Sequence, residues 1–359
     1  MNTQAVALEL FPELATPVVE KPARTKRTTK PKVAPALPSA VPVAALQADI
    51  TAVEATVPAR DLEALARQLE AHGDYRIQRR LQPRLQWPGE PAGKVMRTVL
   101  LDTETTGLDS GKERIIELAM LCVDIDVATG LPVGEVQVFD ELEDPGKPIP
   151  VEVVALTGIK DEDVRGKHLN EARIAELLEG VDLIVAHNAG FDRPFVESRM
   201  PQFAQYAWAC SFADIDWKAQ GRSSAKLESL AQANGWFYDA HRAEMDCHAL
   251  LAVLAQKLPQ AEQTGLARLL QAVSRPNYGL QATNAPFEAK DKLKARGYRW
   301  NSEQRVWHTR LGDDVALNAE CEWLKENVYG ARRAIVQIEK QDALVRFSNR
   351  PGVITHQQL

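Results

Sequence analysis

Three short acidic motifs follow one another along this chain: Asp102-Thr103-Glu104-Thr105-Thr106-Gly107, then His187-Asn188-Ala189-Gly190-Phe191-Asp192, then His241 with Asp246 five residues on. Any fold has to deal with their charge. Carboxylates brought together raise one another's pKa and oppose folding, so these acids either lie scattered on the surface or are gathered around cations.

The sequence around the motifs predicts where they sit. Residues 97–104 alternate and run apolar into the first motif, and 115–123 and 133–142 read as two further strands, a succession that suggests an antiparallel meander. Helical segments at 151–156 and 171–178, an apolar strand at 183–186, a helix after Phe191, a strand at 206–210 and helices at 226–234 and 242–258 follow. The expectation is an α/β domain over residues 95–260, a mixed sheet covered by helices.

On a strand, Asp102 and Glu104 point the same way because side chains alternate faces. Gly107 lets the chain turn sharply next to a ligand. Asp192 falls near a helix N-terminus, where its charge is favoured. Five residues on one helix subtend about 140° and do not converge, so His241 is placed on the loop before the helix and Asp246 in its first turns. A histidine's near-neutral pKa suits it to take a proton from water, typically worth about 10² to 10⁴ in rate.

Each motif alone has a plain reading: a paired acid on an exposed strand, an ordinary N-terminal acid, a capping or packed histidine. Together they discriminate. Hard oxygen ligands without a nearby thiol set suit Mg2+ or Mn2+. Two such ions about 3.5–4 Å apart can stabilise both the attacking and the leaving oxygen of an in-line displacement at phosphorus.

The three motifs resemble those of the DEDDh exonucleases, the superfamily of the proofreading epsilon subunit of bacterial DNA polymerase III, RNase T and oligoribonuclease. The likeness covers about residues 97–257 and includes Leu156-Thr157-Gly158-Ile159 with Asp161 to Val164 between the first two motifs. It implies an RNase H-like fold and removal of nucleotides from 3′ ends with two metals. By position it makes Asp102, Glu104, Asp192 and Asp246 metal ligands and His241 the general base. It sets Thr105, Gly107 and Leu108 against the terminal nucleotide, with Asn188 and Phe191 shaping the pocket. The related tyrosine subgroup carries Tyr four residues before its last Asp; here that position is Arg242, so the histidine subgroup fits.

The remainder is read from composition and pattern. A chain of 359 residues with 45% apolar and 26% charged residues is an ordinary globular average, long enough for two domains. No apolar run approaches a membrane span, and the N-terminus lacks a secretory pattern, which places the protein in the cytoplasm. Cys122, Cys210, Cys247 and Cys321 form no CxxC pair and read as buried thiols. Residues 1–60 hold eight of the 21 prolines and no sustained period, so a disordered tail is expected; its run 21–32 carries six cations and no acid. Residues 61–94 read as a short helical lead-in, with Asp61 as N-cap, followed by an arginine-rich stretch that suits packing on the following domain ahead of contact with a phosphate backbone. Residues 261–276 read as a connector. Residues 277–350 suggest a small α+β accessory domain, in which Tyr298, Trp300, Trp307 and His308 interleave with arginines and suit either a core or contact with nucleic acid. That segment weakly resembles a small domain found beside mobile-element primases, and nothing matches the tail that tethers the epsilon subunit to its polymerase.

The expectation is a metal-dependent 3′-to-5′ exonuclease acting on single-stranded DNA, with replication or repair proteins as partners. Two alternatives stand beside it: an enzyme trimming RNA 3′ ends, and a nucleic-acid-binding recruitment factor with a weak nuclease domain. A net charge of −6 excludes none of these, because binding depends on local patches.

Overall fold

The computed structural model describes residues 59–359; the expected disordered tail and its basic run lie outside them, apart from the tail's last two positions. The described residues fall into two compact units that divide between Arg79 and Arg80. In the first, helix α1 spans Ala59–Glu70, so Asp61 lies in its first turn rather than at its N-cap. Arg79 reaches back to Glu63 at 2.9 Å and Glu70 at 2.7 Å.

The second unit is built on a six-stranded sheet: β1 (Gln86–Trp87), β2 (Val95–Thr105), β3 (Ile115–Asp126), β4 (Leu131–Leu142), β5 (Leu183–Ala186) and β6 (Ala207–Cys210). Its order is β1-β4-β3-β2-β5-β6. β2, β3 and β4 form the expected antiparallel meander, while β5 and β6 run parallel to β2. The parallel strands need crossover helices, and the sequence supplies them: α2 (Val151–Thr157) and α3 (Glu171–Leu177) before β5, and α4 (Ala189–Arg199) before β6. Beyond β6 lie α5 (Leu227–Ala233) and α6 (Ala243–Leu254).

Both faces of the sheet are covered, which is why the central strands read as nearly continuous apolar runs. Leu100, Leu121, Val185 and Ala209 face one core with α5 and α6. Val99, Leu101, Met120, Ile184 and Trp208 face the other with α3 and α4. Alternation carries on to the end of β2: Asp102 and Glu104 lie on the α6 side and Thr103 on the α4 side. From Arg80 on, the arginine-rich stretch packs through its apolar residues: Leu81 and Trp87 are buried, with Arg84 4.2 Å from the Trp87 ring, while Arg80 and Arg84 stay exposed.

Residues 261–276 are more than a connector. They contain helix α7 (Gly265–Val273), which buries Leu266 and Leu269 in the α6-side core. Thr264 caps it, accepting from Ala267 N–H at 3.0 Å and donating to the Gly130 carbonyl at 2.7 Å. A side chain at Gly265 would bring a Cβ within 2.7 Å of Leu254, so the glycine that weakens the helical pattern is what lets α7 approach α6.

The C-terminal part forms a five-stranded antiparallel sheet from β7 (Asn277–Ala282), β8 (Arg299–Asn301), β9 (Val306–Leu311), β10 (Ile335–Gln341) and β11 (Val353–Gln358), in the order β8-β9-β7-β10-β11. Helices α8 (Lys290–Ala295) and α9 (Asp314–Leu324) supply Leu293, Leu317 and Leu324 to its core. α9 went unpredicted. Residues 334–350 alternate in sequence like two strands, but only 335–341 is one. Asp342 breaks the pattern: its carboxylate accepts Leu344 N–H and its carbonyl accepts Arg346 N–H, both at 2.9 Å, and the chain turns. The next strand lies past residue 350. Of the interleaved aromatics, Tyr298 is core, Trp307 is partly buried and Trp300 is half exposed. All four cysteines are buried free thiols. Among the described residues no helix is long and apolar enough to cross a membrane.

Candidate active site

The acids converge where β2 ends. Oxygens of Asp102 and Glu104, from one face of β2, and of Asp246, from the first turn of α6, lie within 4.8 Å of one another. Asp192 comes from the opposite side of the sheet, in the first turn of α4. Its Oδ1 accepts the Thr103 N–H at 3.1 Å and the Thr103 hydroxyl at 2.9 Å. Residue 103 therefore fixes Asp192 against the strand while its neighbours 102 and 104 face α6. All four acids line one cavity of about 220 Å³, together with His241, Thr105, Gly107, Leu108, Asn188 and Phe191.

Two left-handed residues aim the last two motifs. Asn188, at φ 71°, turns the chain from β5 into α4, and Phe191 N–H closes the turn on its carbonyl at 2.7 Å. His241, at φ 66°, does the same before α6, and its backbone N–H donates to Oδ2 of Asp246 at 2.8 Å. Holding a non-glycine residue there costs roughly 1–3 kcal/mol, and that bond helps to offset it. His241 thus stands on the loop and its side chain lines the cavity.

Burial is the first cause of the charge state. It raises Asp102 and Glu104 well above the usual carboxylate range, and their acidic neighbours add to the effect. Asp192 and Asp246 are each pushed up to about 7, again by burial first. Neither the Asp102 nor the Glu104 carboxylate accepts a hydrogen bond or an ion pair among the described residues. Uncompensated, partly buried carboxylates of this kind, all hard oxygen donors, fit divalent cations such as Mg2+ or Mn2+. The nearest thiol does not compete, because Cys247 Sγ is directed at the carbonyls of Leu100 and Ala119.

Several contributors were not apparent in the sequence. Tyr238 donates its hydroxyl to Oδ1 of Asp246 at 2.8 Å. Glu117, which follows two strand-like isoleucines in the sequence and reads either as a structural acid or as a support to the site, is fully buried on β3 opposite Glu104. It accepts Arg242 at 2.8 Å and the Ala243 N–H at 3.0 Å, fixing the start of α6. Lys226 and Glu228 also line the cavity, as do Leu156 and Thr157 from the segment linking the first two motifs. His187 lines it too: its Nδ1 meets the Ser211 hydroxyl at 2.6 Å, and burial lowers its pKa to about 4, so it is neutral. Asp109 pairs with Lys112, and Glu113 with Lys147 and Thr106, as structural acids.

Residues 99–254 match the family model described as Exonuclease, RNase_T. A PolC-type DNA polymerase III of Listeria innocua serovar 6a is 35% identical over 104 residues, which is 28% of this chain and 6% of that protein. The DNA polymerase III subunit epsilon of Treponema pallidum (strain Nichols) is 28% identical over 178 residues, 46% of this chain and 78% of that protein. The chain thus spans only a small fraction of the PolC-type relative's length. Among solved structures, the zinc-bound E. coli ExoI–ssDNA complex covers 51% of this chain and 47% of its own, at 22% identity and a TM-score of 0.37. Residues 99–254 are therefore an exonuclease domain by the family model that they match, in keeping with the resemblance of the three acidic motifs to the DEDDh exonucleases.

Proposed function

We propose that this protein is a metal-dependent 3′-to-5′ exonuclease of the cytoplasm that hydrolyses terminal phosphodiesters of single-stranded DNA and releases nucleoside monophosphates. The observation that carries the reading is the convergence of Asp102, Glu104 and Asp246 within 4.8 Å, with Asp192 and His241 lining the same cavity. That relatives of this segment are DNA polymerase III proteins supports DNA as the substrate and replication or repair proteins as partners.

Asp102, Glu104, Asp192 and Asp246 would hold two divalent cations, whose chemistry is to neutralise the phosphate and stabilise charge on the attacking and leaving oxygens. His241 takes the proton from the attacking water, a role suited to an imidazole on a loop at the cavity mouth. Phe191, Leu108 and Gly107 form the wall against which the terminal nucleotide lies, and Asn188 shapes the pocket beside it. Thr105 holds that wall by donating to the Gly107 carbonyl at 2.6 Å. Glu117, through Arg242 and Ala243, keeps His241 and Asp246 in register.

The test is digestion of 3′- and 5′-labelled DNA and RNA with Mg2+ or with chelator. Stepwise loss from the 3′ end of DNA, abolished by chelator, by Asp102→Ala and by His241→Ala, is the expected result. Chelator-resistant digestion, or full activity in either variant, overturns the mechanism. Preferential digestion of RNA would make the enzyme an exoribonuclease with the same chemistry.

A further inference from the structure

A second, open cavity of about 870 Å³ is lined by residues between 212 and 225 and by Arg268. The wall between the cavities is thin. His187 lines the active site, and the ring of Phe212, which lines the second cavity, packs edge-on against it at 5.8 Å. Ala225 lines the second cavity and its neighbour Lys226 the first.

The second cavity carries three cationic side chains. Lys218, Arg222 and Arg268 all line it. Elsewhere on this domain Arg199 is tied to Glu143 and Arg242 to Glu117. None of these three has an ion-pair partner among the described residues, and Arg222 Nε is buried without any hydrogen-bond partner there. The acids on the rim are committed elsewhere: Asp214 to Arg346 and the Cys210 N–H, Asp216 to the Ala219 N–H. Ser223 and Ser224 add hydroxyl donors. Unpaired guanidinium groups in an open, hydroxyl-lined groove suit phosphodiester oxygens, and a strand with its end in the active site has further phosphates to place nearby.

We propose that this groove binds the phosphate backbone of the nucleic-acid strand whose 3′ terminus occupies the active site, with Lys218, Arg222 and Arg268 as the phosphate contacts. The inference rests on the exonuclease reading and adds a site for the uncleaved part of the substrate. Because the contacts are to phosphate, they carry no base specificity.

The test compares the wild type with Lys218→Ala/Arg222→Ala/Arg268→Ala on two substrates: oligodeoxythymidylate, and the p-nitrophenyl ester of thymidine 5′-phosphate, which has no upstream phosphate. The expected result is an approximately tenfold rise in KM for the oligonucleotide and a shallower dependence of KM on salt. kcat stays within about twofold, and ester hydrolysis and melting temperature are unchanged. The charge-preserving Lys218→Arg/Arg222→Lys/Arg268→Lys variant retains most of the affinity. An unchanged oligonucleotide KM and salt slope in the alanine variant, with the ester hydrolysed normally, overturns the proposal and leaves the exonuclease reading standing. A wild type inert on both substrates overturns that reading and this inference with it.

Discussion

The hydroxyl of Tyr238 donates to Oδ1 of Asp246 across 2.8 Å, on the side of the carboxylate opposite the His241 N–H at Oδ2. Both oxygens of Asp246 are thus held by the short segment that leads into α6, and the lone pairs left over face Asp102 and Glu104. Partners that orient a ligand in this way are typically worth 10–100-fold in metal affinity or activity. Tyr238→Phe removes one of the two holds without opening a cavity. The Mg2+ concentration giving half-maximal activity should rise about tenfold, with the melting temperature near that of the wild type. A Mg2+ dependence identical to the wild type's would mean that the His241 N–H alone orients Asp246.

Glu117 presents a second relationship to test. Its carboxylate is buried, whereas its partner Arg242 is half exposed, so losing the pair strands no charge in the core. What Glu117→Ala does strand is the Ala243 N–H at the start of α6, and it leaves a void on β3. A cost of about 2–4 kcal/mol is expected. Glu117→Gln keeps an acceptor for that N–H and should recover roughly half of it. Thermal unfolding of the two variants measures the difference, and equal losses would assign the whole effect to charge.

The elements most legible in the sequence were those where period and burial agree. The run 183–186 is apolar on both faces because both faces are covered, and it appears as the strand expected. His241 was placed on a loop by helical geometry alone, and φ 66° there supplies the reason in the backbone. Tyr238 was invisible because nothing local marks a tyrosine whose partner lies eight residues away around a left-handed turn. For Glu117 the sequence leaves open a structural acid or a support to the site, because the register that sets it opposite Glu104 is a property of pairing between strands. Helix α7 was lost among glutamines and alanines because its defining glycine serves a tertiary contact.

Metal removal should make stability depend on pH in a definite direction. Asp192 and Asp246 hold their protons up to about pH 7 in the folded chain, against an ordinary value of 3.8. Between those values the folded state binds more protons than the unfolded, so stability falls as pH rises and the penalty is complete above about pH 7. The chelated protein should melt lower at about pH 8 than at about pH 6. Mg2+ should raise its melting temperature more at the higher pH, where the carboxylates are already ionised. Asp246→Asn should reduce both effects, and a chelated melting temperature that rises with pH over this range would contradict the assignment.

The last prediction concerns Arg193, the residue after Asp192. Its guanidinium is fully buried and donates to the carbonyls of Leu344 at 2.6 Å, Arg346 at 2.7 Å and Ala343 at 3.3 Å. The Trp208 N–H on β6 adds a bond to the same Ala343 carbonyl at 2.8 Å, and Arg346 is itself buried against Asp214. The turn after β10 is therefore part of the exonuclease domain's structure, although it lies about 90 residues beyond the matched segment. Removing it leaves a buried guanidinium with Glu197 as its remaining partner. Each unsatisfied buried group costs about 1–3 kcal/mol, and more when charged, against a total stability of about 5–15 kcal/mol for a domain. A fragment ending before Asp342 should consequently melt well below the full chain or fail to fold. Arg193→Ala in the full chain should cost about 2–4 kcal/mol and lower kcat as well, because α4 carries Asp192. Thermal unfolding and turnover of both proteins decide it: a truncated fragment as stable and as active as the full chain would reduce these contacts to passive packing.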